Sequence, residues 1–402
     1  MKPRADRRGF LRASVAALAA RPLARSLGGL ASAGASLALA APAAPPAYNR
    51  LLVLIELKGG NDGLNTVVPY ADPAYYALRP KLAIARDRVV QLTDRVGLHP
   101  ALAGLRDAFV AGRLALLQGV GYPAPNLSHF RSIEIWDTAA ASDQYLADGW
   151  LARTFASSAA PASFAADGVV IGSNDMGPLA GRGTRALALA NTDQFLRRAR
   201  LAHTGAPLGN RALAHILKTE NDVVEAATRL DASRTLVTEF PATAFGSVVR
   251  TACHVAASPA GVACMRLTLN GFDTHTGQAA THARLLGELA AGLEALERGL
   301  REIGRWDDTL VVTYAEFGRR PRENVSGGTD HGTSSAHFVL GGRVTGGLHG
   351  AMPELARLRG DGNPEFTLDY RRVYATALES WWGVPSAPVL NGRYAPLPLV
   401  RA

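Results

Sequence analysis

The stretch at residues 51–57, Leu-Leu-Val-Leu-Ile-Glu-Leu, constrains the fold of this chain more than any other feature of its sequence. It is apolar at nearly every position, and it stops abruptly at residues 59–63, Gly-Gly-Asn-Asp-Gly. A strand with one solvated face alternates apolar and polar residues, whereas a strand covered on both faces of a parallel sheet is continuously apolar. The pattern therefore predicts a central parallel strand that ends in a polar loop.

Other apolar runs alternate with segments of helical periodicity along the chain. Strand-like runs occur at residues 114–120, 169–171, 187–189, 265–269 and 310–314. Helices are predicted at residues 102–110, 193–256, 285–303 and 370–382. This alternation predicts the α/β class, with a doubly wound, mostly parallel sheet and helices on both faces. We expect a single domain over residues 47–398, with an insertion or cap at about residues 142–240.

Residues 1–41 are typical of an export signal. Paired arginines at residues 7–8 precede Gly-Phe-Leu-Arg, and an alanine-rich run ends in a small-x-small cleavage pattern at residues 38–40. Arg21 and Arg25 interrupt that run, so it is too short for a membrane helix. We therefore predict a twin-arginine signal peptide, recognition by the twin-arginine export machinery, and a periplasmic or secreted mature protein with no stable membrane span.

Most of the net positive charge of the chain lies in this segment. Residues 1–41 contain seven basic residues and one acidic residue, so they carry most of the formal net charge of +9. The rest of the chain is close to neutral and has no basic tract. Nucleic acid is therefore excluded from the expected partners.

The chain has two cysteines, Cys253 and Cys264. In an oxidising compartment they can form a disulfide that closes a short loop. The apolar residues around both are equally consistent with two buried free thiols. The sequence leaves both interpretations open.

Residue types that bind metals or attack esters follow the ends of the predicted strands. In an open α/β sheet, ligands bind in the crevice outside the carboxyl ends of the strands. The candidates at these ends are Asp62, Ser128 and His129, Asp273 and His275, Glu316, and His331. Their shared position predicts that they converge in one cleft although they are far apart in sequence.

The residues around each candidate favour either a functional or a structural interpretation of it. Asp273 and His275 are two residues apart, so in an extended segment both side chains point the same way and can bind one ion. Ser128 precedes a predicted helix, where free backbone N–H groups can hold an anion beside a nucleophilic hydroxyl. Ser128 is equally consistent with a helix cap alone. Asp62 is consistent with a turn residue, and Glu316 with a salt-bridged strand end.

Several motifs together resemble the bacterial DUF1501 family of domains of unknown function. They are the twin-arginine leader and residues 58–65, 126–132, 272–275, 316–319 and 328–332. That family is grouped with the alkaline phosphatase and sulfatase superfamily. The resemblance implies an alkaline-phosphatase-like α/β fold, one or two divalent metal ions, and a Ser or Thr nucleophile at a helix N-terminus.

The resemblance also implies roles for single residues. The metal ligands it implies are Asp62, Asp273, His275, Glu316 and His331. Ser128 matches the nucleophile of the superfamily. Apart from the resemblance, the neighbouring His129 is a candidate to attack in its place, and Arg131 is a candidate to stabilise charge. The pattern departs from the superfamily at one point. Its adjacent Asp-His-Gly is Glu-Phe-Gly at residues 316–318, and Asp-His-Gly occurs instead at residues 330–332.

We therefore expect an exported, metal-dependent hydrolase that acts on a small-molecule or polymer ester of phosphate or sulfate. The alternative is a non-catalytic exported binding or assembly protein that retains the same fold. Turnover of an ester distinguishes the two.

Overall fold

A nine-stranded sheet forms the centre of the described chain, and the strand predicted at residues 51–57 lies in its interior as β1 (Leu51–Lys58). The structure is a computed structural model that describes residues 45–189 and 235–401. The predicted signal peptide lies outside the described residues. So do residues 190–234, which include the middle of the predicted cap and much of the helical segment predicted at residues 193–256. The domain boundaries and the cap remain predictions.

The remaining strands, in chain order, are β2 (Val67–Val68), β3 (Val90–Gln91), β4 (Gly97–Leu98), β5 (Leu114–Gly121), β6 (Ala166–Ile171), β7 (Ala186–Leu189), β8 (Val262–Asn270), β9 (Thr309–Tyr314), β10 (Gly318–Arg319), β11 (His331–Gly332), β12 (Ser335–Leu340), β13 (Gly347–His349) and β14 (Leu368–Asp369). The central sheet has the order β13-β5-β12-β9-β1-β8-β6-β7, with β14 beside β5. β1 pairs in parallel with both β8 and β9. β12 runs antiparallel to β5 and β9, which sequence reasoning did not predict.

The helices are α1 (Gly63–Thr66), α2 (Pro73–Leu78), α3 (Arg106–Val110), α4 (His129–Thr138), α5 (Trp150–Ser157), α6 (Ala244–Ala257), α7 (Gln278–Glu302), α8 (Arg371–Ala375), which continues as a π-helix over Thr376–Trp382, and α9 (Ala387–Leu390). Short 3-10 segments occur at Arg86–Arg88, Pro100–Leu105, Gly177–Leu179 and Trp306–Asp308. No helix of the described residues has both the length and the apolar character to span a membrane.

The two faces of β1 explain how the sheet is covered. Because successive side chains of a strand point to opposite faces, Val53 and Ile55 pack into one apolar cluster and Leu52 and Leu54 into another. The first cluster includes residues of α6 and α7. The second includes residues of α4, α5, α8 and the π-helix that continues α8. Helices therefore cover both faces, which confirms the predicted doubly wound α/β class.

The parallel strands deliver their loops to one edge of the sheet. β1, β8 and β9 run in the same direction, and so does β5, because β12 is antiparallel to both β5 and β9. The segments after these four strands carry the candidate residues. Away from this edge, Cys253 in α6 and Cys264 in β8 are both buried free thiols, and burial raises the pKa of Cys253 to about 12.

Candidate metal centre

Three histidines and one aspartate meet at the carboxyl edge of the sheet. His129 is the first residue of α4, Asp273 and His275 follow β8, and His331 is the first residue of β11. Oδ1 of Asp273 lies 3.1 Å from Nε2 of His275 and 3.2 Å from Nε2 of His331. Oδ2 of Asp273 lies 3.4 Å from Nε2 of His129. The Nε2 atoms of His275 and His331 are 3.0 Å apart. The Asp273 carboxylate is therefore the common neighbour of three imidazole nitrogens.

Each histidine turns its other ring nitrogen towards an oxygen outside this group. Nδ1 of His129 lies 2.9 Å from Glu316 Oε1, Nδ1 of His331 lies 2.7 Å from the carbonyl oxygen of Leu127, and Nδ1 of His275 lies 3.4 Å from Asp330 Oδ1. Carboxylate and carbonyl oxygens only accept hydrogen bonds, so the proton belongs on Nδ1. Histidines that bind metals usually make this second contact, because it fixes the tautomer and aims the free nitrogen at the ion.

The spacing of His129, Asp273 and His331 fits one divalent ion. Bonds of about 2.0–2.1 Å in a tetrahedral zinc site place neighbouring ligand atoms about 3.3 Å apart. The four separations measured between the imidazole and carboxylate atoms range from 3.0 to 3.4 Å. Among the described residues, His129, Asp273 and His331 form a group whose ligand atoms all lie within 4.8 Å of one another, and His275 adjoins it. Imidazole nitrogen and carboxylate oxygen are donors that suit zinc and related ions.

Two glycines let neighbouring loops pack against the ligands. Gly59 has φ +113°, and a Cβ atom placed there would lie 2.4 Å from the backbone nitrogen of Asp273. A Cβ atom on Gly328 would lie 2.3 Å from the backbone of His275. Only glycine avoids both clashes, so these positions explain the glycines after β1 and before β11.

The surrounding charges set the protonation of the group. Burial alone would raise the pKa of Asp273, but the hydrogen bond and the charge of Arg319 outweigh it and lower the pKa to about 2. The hydrogen bond to Glu316 raises the pKa of His129. Burial lowers the pKa of His331. Asp273 is therefore ionised at neutral pH, as a metal ligand must be.

Ser128 lies beside His129 at the N-terminus of α4. Its side chain is exposed and makes no capping hydrogen bond, although Ser128 occupies the N-cap position. Its backbone N–H donates to Asn126 Oδ1 at 2.9 Å. The first N–H groups of a helix have no partner within the helix and favour anions. The hydroxyl and the helix N-terminus are thus available to an anionic ligand next to His129.

Asp62 does not belong to the group around Asp273. Its carboxylate is fully buried, and Arg79 binds both oxygens, at 2.6 Å through Nη1 and at 3.0 Å through Nη2. Leu64 N and Asn65 N also donate to it, because Asp62 is the N-cap residue of α1, and Gln278 Nε2 donates to Oδ2. Arg79 outweighs the effect of burial and lowers the pKa of Asp62. The protein itself uses the lone pairs that a metal ion would need.

Glu316 and Arg131 are not in the group of candidate ligands. Glu316 Oε1 accepts from His129 Nδ1 and, at 2.9 Å, from Gly59 N, which places Glu316 behind a ligand. Arg131 donates to the carbonyl oxygens of Ser142 and Gln144, and its guanidinium lies 3.7 Å from the ring centroid of Tyr145. Arg131 therefore holds the loop that contains Ser142 and Gln144.

Sequence reasoning did not assign Arg319, which donates to Asp273 Oδ1 at 2.6 Å from a fully buried position. Its place three residues after Glu316 was the only available signal, and that spacing does not show which way the side chain turns. The catalytic role that sequence reasoning gave to His129 stays a prediction, and the geometry makes His129 a candidate ligand as well.

The family model described as "Protein of unknown function (DUF1501)" matches residues 49–391 of this chain. No curated protein matches the chain in sequence.

Three solved structures illustrate the similarity in fold. The C-terminal periplasmic domain of EcEptC from Escherichia coli, in complex with Zn, is 10% identical over 73% of this chain and 72% of that chain, with a TM-score of 0.38. The lipoteichoic acid synthase LtaP from Listeria monocytogenes is 10% identical over 74% and 69%, with a TM-score of 0.34. Alkaline phosphatase from the Antarctic bacterium TAB5 is 11% identical over 74% and 92%, with a TM-score of 0.31. At these TM-scores we draw no conclusion from them about chemistry.

Proposed function

This chain belongs to the DUF1501 family, and we propose that it is an exported, metal-dependent hydrolase of a phosphate or sulfate ester. One observation carries the proposal: three histidines, each held through Nδ1, direct Nε2 to Asp273 beside the uncapped N-terminus of α4. A cation and a helix N-terminus side by side suit a substrate with an anionic group. Export is supported by the sequence of residues 1–41.

A bound divalent ion would be held by His129, Asp273 and His331, with His275 beside them, and it would supply Lewis-acid stabilisation of negative charge. Catalytic zinc sites keep one position for the substrate. His275 has the most exposed side chain of the three histidines, at 42% against 34% and 20%, and its partner Asp330 is exposed as well. His275 is therefore the histidine of this group that a substrate can approach most readily.

The residues of α4 supply the remaining chemistry. The Ser128 hydroxyl attacks the phosphorus or sulfur atom, its proton passes to the departing oxygen, and the substrate leaves as the alcohol. Water then hydrolyses the Ser128 ester, which returns the proton to Ser128 and releases the phosphate or sulfate. Backbone N–H groups of the first turn hold the non-bridging oxygens. Glu316 keeps the proton of His129 on Nδ1, so that Nε2 stays directed at the centre.

The test combines metal analysis with a panel of chromogenic phosphate and sulfate esters. We expect bound divalent metal and metal-dependent turnover of at least one ester. Ser128→Ala should lower that turnover by at least about a thousandfold. It should leave metal content unchanged and the free energy of unfolding within about 0.5 kcal/mol, since Ser128 makes no capping bond.

Thr243→Ala is the matched control. Thr243 does cap its helix, because its side chain accepts from Gly246 N at 3.0 Å. Its removal should cost about 1 kcal/mol of stability and leave turnover unchanged. Full activity in Ser128→Ala would assign the attack to another group. A wild-type protein that binds metal but turns over no ester would instead support the exported binding or assembly protein.

A further inference from the structure

Arg319 in β10 is hydrogen-bonded to three loops at the metal centre. Its side chain is fully buried. Besides Asp273 Oδ1, it donates to four backbone carbonyl oxygens: Gly60 at 2.8 Å, Thr329 at 2.9 Å, Phe272 at 3.0 Å, and Gly59. All three nitrogens of the guanidinium therefore have protein acceptors.

These acceptors lie on three loops that adjoin the centre. Gly59 and Gly60 follow β1, and the N–H of Gly59 holds Glu316, the partner of His129. Phe272 immediately precedes Asp273. Thr329 lies two residues before His331, and Arg319 is paired directly with His331 in the β10–β11 ladder. One side chain thus joins the loops of Asp273 and His331 directly, and it is linked to His129 through Gly59 and Glu316.

A buried guanidinium makes this arrangement rigid. A charged group that is buried without partners for its donors destabilises a protein strongly. Displacement of any of the three loops would therefore leave N–H groups of Arg319 without acceptors. The planar fork of five N–H donors also fixes the directions of the acceptors, which a lysine with three freely rotating donors cannot do.

We propose that Arg319 is the positioning residue that preassembles the metal centre, holding Asp273 and the three loops in the binding geometry before an ion arrives. The proposal depends on the metal centre of the proposed function and is independent of the ester. Among the described residues, Arg319 is the only arginine or lysine that forms an ion pair with Asp273.

Arg79 provides a matched control within the same chain. It is also fully buried, binds a carboxylate, and donates to two backbone carbonyl oxygens, Pro321 at 2.8 Å and Arg320 at 3.0 Å. Its carboxylate is Asp62, which lies outside the group of candidate ligands. The two arginines therefore match in burial and in type of contact but differ in whether they hold a ligand.

The experiment titrates the full chain with Co²⁺ in the wild type, Arg319→Lys and Arg79→Lys, at a temperature where circular dichroism shows each to be folded. Arg319→Lys should weaken Co²⁺ binding by about 10- to 100-fold and change the visible spectrum of bound Co²⁺. Arg79→Lys should lower the melting temperature while the Co²⁺ dissociation constant stays within about threefold and the spectrum is unchanged. Unchanged Co²⁺ binding in Arg319→Lys, or equal weakening in both variants, would overturn the proposal.

Hydrogen exchange of the wild type covers the case in which Arg319→Lys does not fold. Preassembly predicts that the amides of Gly59, Thr274 and Thr329 are protected before Co²⁺ is added, with less than a threefold change afterwards. A large gain of protection on binding would mean that the ion assembles the loops, which overturns the role of Arg319. If the wild type binds no Co²⁺ at all, there is no metal centre to preassemble, and both this proposal and the metal-dependent part of the proposed function are wrong.

Discussion

Asp62 and Asp273 follow neighbouring parallel strands, and each is bound by a buried arginine, yet their surroundings differ completely. The Asp62 side chain is fully buried, and the protein supplies donors to both of its oxygens. The Asp273 side chain is 47% exposed and faces three imidazole nitrogens. A carboxylate at a strand end is therefore a candidate ligand only when the protein leaves some of its lone pairs free.

The local chain explains the difference. Asp62 is directly followed by α1 and turns inward as its N-cap residue. Asp273 is followed by residues 274–277 before α7 begins, and the Arg319 guanidinium occupies only Oδ1. The Asp62 carboxylate is thus hydrogen-bonded within the protein interior, whereas the Asp273 carboxylate lies at the exposed edge of the sheet.

The largest effects on stability and on zinc binding should come from replacing Asp62 or Asp273, one at a time, by asparagine. Asp62→Asn leaves Arg79 buried with no charged partner, which should cost about 3–5 kcal/mol of unfolding free energy and leave the zinc dissociation constant unchanged. Asp273→Asn should weaken zinc binding by more than about a hundredfold. It also leaves Arg319 without a charged partner, but four backbone carbonyl oxygens still accept from that guanidinium, so the loss of stability should be smaller. Urea unfolding in the presence of a chelator and zinc titration measure the two quantities. Loss of zinc binding in Asp62→Asn alone would reverse our assignment.

Acid should destabilise the Asp62 region through His282. This histidine is buried, Nε2 lies 3.0 Å from Asn61 Oδ1, and burial lowers its pKa to about 4. The unfolded chain therefore takes up this proton first, near pH 6.5, so stability is full above that pH and is lost progressively as the pH falls to about 4. The loss should reach about 3 kcal/mol for this group.

Burial also lowers the pKa of His99 to about 4 and that of His337 to about 3, so both add to the acid slope. Urea unfolding of the chelator-treated protein at pH 7, 6 and 5 measures the total. His282→Gln should make the slope shallower by up to one proton. An identical slope in the variant would show that His282 does not titrate on unfolding.

The smallest effect should come from Glu316, and it distinguishes an orienting residue from a ligand. Glu316→Gln keeps an oxygen that can accept from His129 Nδ1 and Gly59 N, so zinc binding should change by less than about threefold. Glu316→Ala removes that acceptor and should weaken binding by about tenfold. If Glu316→Gln were as damaging as Asp273→Asn, Glu316 would itself be a ligand.

The sequence predicts the strand ends but not the directions of the side chains that follow them. Apolar runs predict β1, β5 and β9, because burial on both faces imposes that pattern, and β8 is predicted from the alternating residues 265–269. The inward turn of Asp62 depends on Arg79, which lies seventeen positions away and is unmarked by any motif. The ligand position of His129 depends on Glu316, which belongs to a different strand end. Such contacts arise from how distant loops pack, and one strand's periodicity contains no information about them.

Anomalous diffraction from a crystal grown with zinc tests the central claim most directly. Data collected on either side of the zinc absorption edge give a difference map that locates the ion without reference to any assumed ligand. We predict one strong peak bounded by His129, His275, His331 and Asp273, and none within bonding distance of Asp62. A peak at Asp62, or the absence of any peak near Asp273 in a zinc-saturated crystal, would contradict the account.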